Sequence, residues 1–193
     1  MKTSVIAGIV GGIILFLWSF LAWVVLPLHT ATMHPISDEN AAINALGPLL
    51  TSKAVYDMPH DPGMRGGQAA MDAYTKKVER GPTGMIIYDP QGADPMMGKQ
   101  MFMGILLDFL TAFLAAWMLA SSLLLSAPYM TKVMYFVMIG VLISVSQHLA
   151  YWNWMRFPTD WTLAQIVDTI VGWTLAGLGI AALVKPEHPQ PAK

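Results

Sequence analysis

The sequence contains no cysteine. Disulfides, thiolate catalysis and Cys-ligated metals are therefore excluded, and a chain without thiols is indifferent to the redox state of its compartment. Charge is nearly as scarce. Only 12% of the 193 residues are Asp, Glu, Lys or Arg, against roughly a quarter in soluble domains. The net charge of −1 points to neither a nucleic-acid partner nor an acidic substrate. No recognisable catalytic motif occurs in the chain.

What fills the space is apolar. Hydrophobic residues make up 55% of the chain, and four runs approach the roughly 20 residues needed to cross a bilayer: Val5–Leu26, Met101–Leu125, Val133 to about Trp154, and Trp161–Val184. The first carries no charge and exceeds the ~7–15-residue core of a secretory signal, so it reads as an uncleaved signal anchor. Gly8 and Gly12 give it a GxxxG spacing, which lets helix backbones approach closely in lipid. The 15 methionines suit flexible filling between membrane helices. The fold class expected is a mainly α membrane protein, a four-transmembrane-helix bundle with a small α+β extracytoplasmic cap between helices 1 and 2. Its divisions are 1–27 for the first helix, 28–99 for the cap, 100–185 for helices 2–4 and 186–193 for a cytoplasmic tail.

Orientation follows from Lys and Arg near the span ends. Lys2, Lys132, Lys185 and Lys193 fall on one side; Lys99 and Arg156 fall on the other. Both termini are thus expected in the cytoplasm of a bacterial inner-membrane protein, with the long segment outside. That segment opens with Ser37-Asp38-Glu39 before a helix from Glu39 towards Leu50. It continues with a short strand at Ala54-Val55-Tyr56, a turn, a helix from Gln68 to Glu79, and a strand at Met85–Tyr88 closed by Asp89-Pro90. His29, His34 and His60 lie here near Met33, Met58 and Met64. Thioether and imidazole suit copper, yet His29 and His34 are five apart and lack paired-ligand spacing on a helix; ordinary loop residues are the plainer reading.

Three spans each carry polar groups on a stripe of small residues. Asp108 follows Gly104 and precedes Ala112 and Ala116; His148 follows Gly140 and Ser144; Asp168 precedes Gly172 and Ala176. Ionisable groups in a span face protein rather than lipid. Asp108, His148 and Asp168 are therefore expected to meet in the outer half of the bundle, with Gln147, Gln165, Thr111 and Thr169 nearby. Such a cluster would fix helix register as a buried hydrogen-bond network. Alternatively it would ligate a transition metal through one His and two carboxylates, present His148 as an axial ligand to a tetrapyrrole, or move protons. The turn YWNWMRFPTDW brings Tyr151, Trp152, Trp154 and Trp161 together as an interfacial belt or as a docking platform. Arg156 is expected to reach Asp160 or a lipid phosphate, and Asp160 to cap the last helix.

The stretches GPTGMIIYDPQGADPM and YWNWMRFPTDWTL resemble those of bacterial four-helix inner-membrane proteins with an external cap. That resemblance implies the layout and no activity. The layout is also similar to that of claudins, whose cysteine pair this chain lacks. The expected function is a non-catalytic integral membrane subunit that stabilises or docks partners onto a larger complex. Its partners would be the lipid bilayer and other membrane subunits or further copies of the chain. The alternative is a metal- or tetrapyrrole-binding redox protein.

Overall fold

The four apolar runs become four helices long and apolar enough to cross a membrane: Thr3–Val25, Gly98–Ala120, Tyr129–Met155 and Thr159–Leu183. The computed structural model describes residues 2–186, with Lys2 and Met64 described by backbone alone. The expected tail lies outside the described residues, apart from its first residue, Pro186. In chain order the elements are α1 (Lys2–Phe20), α2 (Glu39–Leu46), β1 (Ala54–Met58), α3 (Gly67–Arg80), β2 (Gly84–Tyr88), α4 (Gly98–Ala120), α5 (Tyr129–Ile143), α6 (Leu149–Met155) and α7 (Thr159–Leu183).

The helix ends have local causes. α1 widens into a π turn at Leu21–Val25, and Pro27 follows. α4 stops five residues before the expected Leu125, because Ser122 donates its hydroxyl to the Leu119 carbonyl and accepts from the Leu124 amide. Those bonds divert the chain into a tight 3₁₀ turn, Leu123–Ser126. Pro128 and Pro158 stand just before α5 and α7, where a missing N–H costs nothing. Asp160 is not the cap. It sits in the first turn of α7 and accepts from the Trp161 amide at 2.8 Å. A second π turn, Ser144–His148, joins α5 to α6. It inserts an extra residue per turn, so the face running from Gly140 to Ser144 does not continue with α-helical period to His148 and beyond.

The helices lie side by side in the order α4, α1, α7, α5, held by glycines that let backbones touch. A Cβ at Gly12 would lie 2.7 Å from the Phe109 Cα, and one at Gly8 2.7 Å from the Phe113 Cα. The GxxxG pair of α1 therefore seats α4 directly. On the opposite flank, a Cβ at Gly179 would meet Ile14 at 2.6 Å, and one at Gly172 would meet Trp18 at 2.9 Å. Gly140 and Gly177 do the same between α5 and α7, against Ile170 and Phe136. The apolar core sits where the start of α1, the end of α4, the start of α5 and the end of α7 converge. There Ala7, Ala116, Leu119, Phe136, Ile180 and Val184 are almost fully buried. Lys132 is buried at this end as well, and its Nζ donates to the Val184 carbonyl at 2.9 Å. A cation thus satisfies an orphan carbonyl at the C-terminus of α7.

Contacts divide the chain into two compact units. One holds the chain up to Met33, Met96–Asn153 and the chain from Phe157 onward; the other is His34–Pro95 with Trp154–Arg156. The boundary falls at His34 rather than Leu28, because the chain just after α1 belongs with the helices. In the smaller unit, Asp38 caps α2 by accepting from the Ala41 amide at 2.9 Å. β1 and β2 pair antiparallel, with Tyr56 opposite Ile86. The helix–strand–helix–strand order expected from sequence is the order found, although α2 stops at Leu46.

Because Gly12 touches backbone rather than a movable side chain, Gly12→Leu is expected to lower stability by about 1–3 kcal/mol. Thermal unfolding of the purified protein in detergent measures it, and an unchanged midpoint would remove the close α1–α4 contact.

Candidate functional site

Asp168 is nine residues into α7, roughly 14 Å along its axis. A carboxylate at mid-span costs about 2.5–3.5 kcal/mol unless protein shelters it. Two side chains do so. Trp18 of α1 donates its indole Nε1–H to Oδ1 at 2.6 Å and also approaches the Asp168 carbonyl at 3.1 Å. His29 donates from Nε2 to Oδ2 at 2.9 Å. Both carboxylate oxygens are thereby engaged, one by a donor inside a span and one by a donor beyond it.

His29 gets there because the chain folds back after α1. The Ala31 amide bonds to the Pro27 carbonyl, and Thr32 closes on His29 through both its amide and its hydroxyl. The imidazole then stacks on Trp23, centroids 4.0 Å apart and planes 13° from parallel, while Trp161 meets it edge-on at 5.9 Å. The ring is fully buried. An ionised carboxylate only accepts, so the bond to Asp168 puts a proton on Nε2. Nδ1 is left buried without a hydrogen-bond partner. A histidine braced through one nitrogen by a carboxylate, with the other nitrogen free, has the donor pattern of metal-ligating histidines. However, among the described residues no three His, Asp or Glu side chains come together as a metal-ligand set.

The expected Asp108–His148–Asp168 metal set is therefore not assembled. Asp168 is taken by Trp18 and His29. His148, in the π turn, instead bonds through Nε2 to the Thr169 hydroxyl at 2.8 Å. Asp108 is half-buried, and its carboxylate has no hydrogen-bond or ion-pair partner among the described residues. Beside His148 lies a cleft of about 180 Å³ lined by Tyr151, Phe157, Trp161, Thr162 and Gln165.

The aromatic turn divides by role. Trp161 faces inward to His29 and Trp23. Trp152 donates to the Thr159 hydroxyl at 3.1 Å, and Tyr151 stacks on Phe157 at 5.7 Å. Trp154 is more exposed than Tyr151, Trp152 or Trp161, at 77%. Arg156 is exposed, and its guanidinium donates to the Thr83 hydroxyl at 3.1 Å rather than to Asp160. In the smaller unit His60 pairs with Asp57 at 2.8 Å. That hydrogen bond holds the Asp57 carboxyl below the usual carboxylate range. Lys53 does the same to Asp89 from 2.7 Å.

Sequence reasoning missed His29 and Trp18 as partners of Asp168. Trp18 sits with Phe20 and Trp23 toward the outer half of its span with nothing in the pattern to single it out, and His29 lies past a proline where helical spacing says nothing. The available signal was chemical: a lone acid in a span requires donors, and each of these side chains can supply one. No protein-family model, curated protein or solved structure matches the chain.

Two outcomes are expected. His29→Ala and Asp168→Asn should each destabilise the protein by about 3 kcal/mol, as when one partner of a buried pair is removed. The double variant should lose about 1–2 kcal/mol less than the sum, whereas Asp108→Asn and Asp168→Asn should add within about 0.5 kcal/mol. Unfolding of the purified variants measures both, and additivity of the first pair would break the assignment. Separately, His60→Ala should let the Asp57 carboxyl titrate at a higher pH, as read by NMR of the carboxyl carbon. A carboxylate held down in the fold contributes stability above its unfolded value and loses it as pH falls through the folded one. Wild type should therefore forfeit this exposed pair's small contribution in acid, and His60→Ala should not.

Proposed function

We propose that the protein is a non-catalytic, multi-pass subunit of the bacterial inner membrane that stabilises or docks partners onto a larger complex. Both termini lie in the cytoplasm, and residues 34–95 form an extracytoplasmic cap. The observation that carries this reading is the state of the Asp168 site. Its carboxylate oxygens are both occupied by the chain's own donors, and the imidazole is sealed between tryptophans. Such a site braces helices. Orientation is supported by the gathering of Lys132 and Lys185 at the end of the helices opposite the chain ends that lead into residues 34–95.

A second reading keeps one observation in its favour. His29 Nδ1 is buried and unpartnered, which is what a metal- or tetrapyrrole-binding redox protein would offer as a ligand atom.

Tagged full-length chain purified from native membranes in mild detergent separates the two. The first reading expects a stoichiometric set of membrane subunits on size exclusion and no visible absorbance or bound metal. A chain that elutes alone with a stoichiometric ion or chromophore, lost in His29→Ala, would replace it with the second.

A further inference from the structure

Asp108 and Asp168 sit at similar distances into their helices, ten and nine residues from the first. At 1.5 Å per residue, Asp108 lies about 15 Å in, the middle of a ~30 Å hydrocarbon layer. Asp168 has two donors there; Asp108 has none. The backbone of Asp108 shares the contact between α4 and α1, where Phe109, Ala112 and Phe113 meet Gly8, Gly11 and Gly12 and a Cβ at Gly12 would lie 3.2 Å from the Asp108 carbonyl carbon, but its carboxylate finds no donor there.

An independent feature lies one turn outward on the same stripe. Apart from Gly98, the first residue of α4, and Gly104, each glycine of the four spans is needed by the fold, since a Cβ added to it would come within 3.1 Å of a neighbouring helix. Gly104 alone of the glycines in a span interior has nothing within 4 Å of the added Cβ. A small residue that internal packing does not use, next to an acid that internal donors do not satisfy, marks a face shaped for a backbone from outside the chain.

Charge decides what covers it. The spans contain two Lys and one His. Lys132 is spent on the Val184 carbonyl and His148 on Thr169, while Lys99 stands at the outer end of α4. A second copy would thus bring only another Asp108 to this depth. We infer that the Gly104–Asp108 face of α4 docks a transmembrane helix of a different subunit that presents a Lys or Arg at mid-membrane. This rests on the accessory-subunit reading and assigns the surface through which it acts.

The test uses full-length tagged chain in native membranes. Because the protein has no cysteine, Gly104→Cys supplies a unique cross-linking position. The cross-linked peptide is expected to come from a membrane span of another protein carrying Lys or Arg. Asp108→Asn and Gly104→Leu should each cut recovery of that subunit by about tenfold or more, the loss expected for one charge-assisted contact. Both variants should keep the wild-type unfolding midpoint, because the Asp108 carboxylate has no partner among the described residues and a Cβ at Gly104 meets nothing within 4 Å. Asp108→Lys combined with the partner's base changed to Asp should restore recovery. Full retention of the subunit by both variants overturns the inference and leaves the accessory reading standing. Gly104→Cys disulfide dimers in membranes overturn it in favour of a second copy. Wild-type chain that purifies alone overturns both.

Discussion

A carboxylate placed in hydrocarbon must be met by donors, and the structure is arranged around how Asp168 is met. Its two oxygens draw together groups 150 and 139 residues away in sequence. Trp18 approaches α7 closely because Gly172 leaves room for its indole edge. His29 reaches the second oxygen because the chain turns back immediately after α1, and Trp23 and Trp161 enclose the ring that makes the contact. Each charge-assisted hydrogen bond is worth about 1.5–3 kcal/mol, enough for two of them to offset the insertion cost of one acid.

Away from that point the helices associate as lipid-embedded helices do, by close backbone approach rather than by large interlocking side chains. α1 carries this furthest, seating α4 on Gly8 and Gly12 and α7 on Trp18 and Leu15. The larger side chains gather at the other end of the row, where Phe136 stacks on Trp173, planes 6° apart. Lys132 closes α7 there. The two ends of the helical unit are therefore held by different chemistry: an acid with neutral or cationic donors at one, a cation with a carbonyl at the other.

Much of this was legible in the sequence, and what was legible had a periodic or compositional signal. The four spans, the GxxxG contact, the cap of α2 at Asp38 and the two strands follow from runs and spacings that local physics reads directly. The identity of Asp168's partners did not. Helical periodicity placed His148 at a suitable height, but the π turn at Ser144–His148 rotates that face, and the turn that carries His29, two residues past Pro27, has no period at all. Irregular backbone is where pattern reasoning loses register. It is also where His29, one of the two partners of Asp168, comes from. Asp108 was legible as a buried acid on a small-residue stripe, but whether its donors lie within the chain depended on how far α4 stands from its neighbours, which spacing does not encode.

The order of the helices in space, α4–α1–α7–α5, differs from their order of synthesis. The first span to leave the ribosome becomes an inner member of the row, and one of its two neighbours is the last to be made. At translation rates of roughly 5–20 residues per second, the 139 residues between His29 and Asp168 correspond to roughly 7–30 s. During that interval the indole and imidazole have no acceptor. A nascent chain must therefore pass through a long-lived half-assembled state with its polar groups exposed to lipid or to the insertion machinery. Completion of the fourth span is the step that releases it.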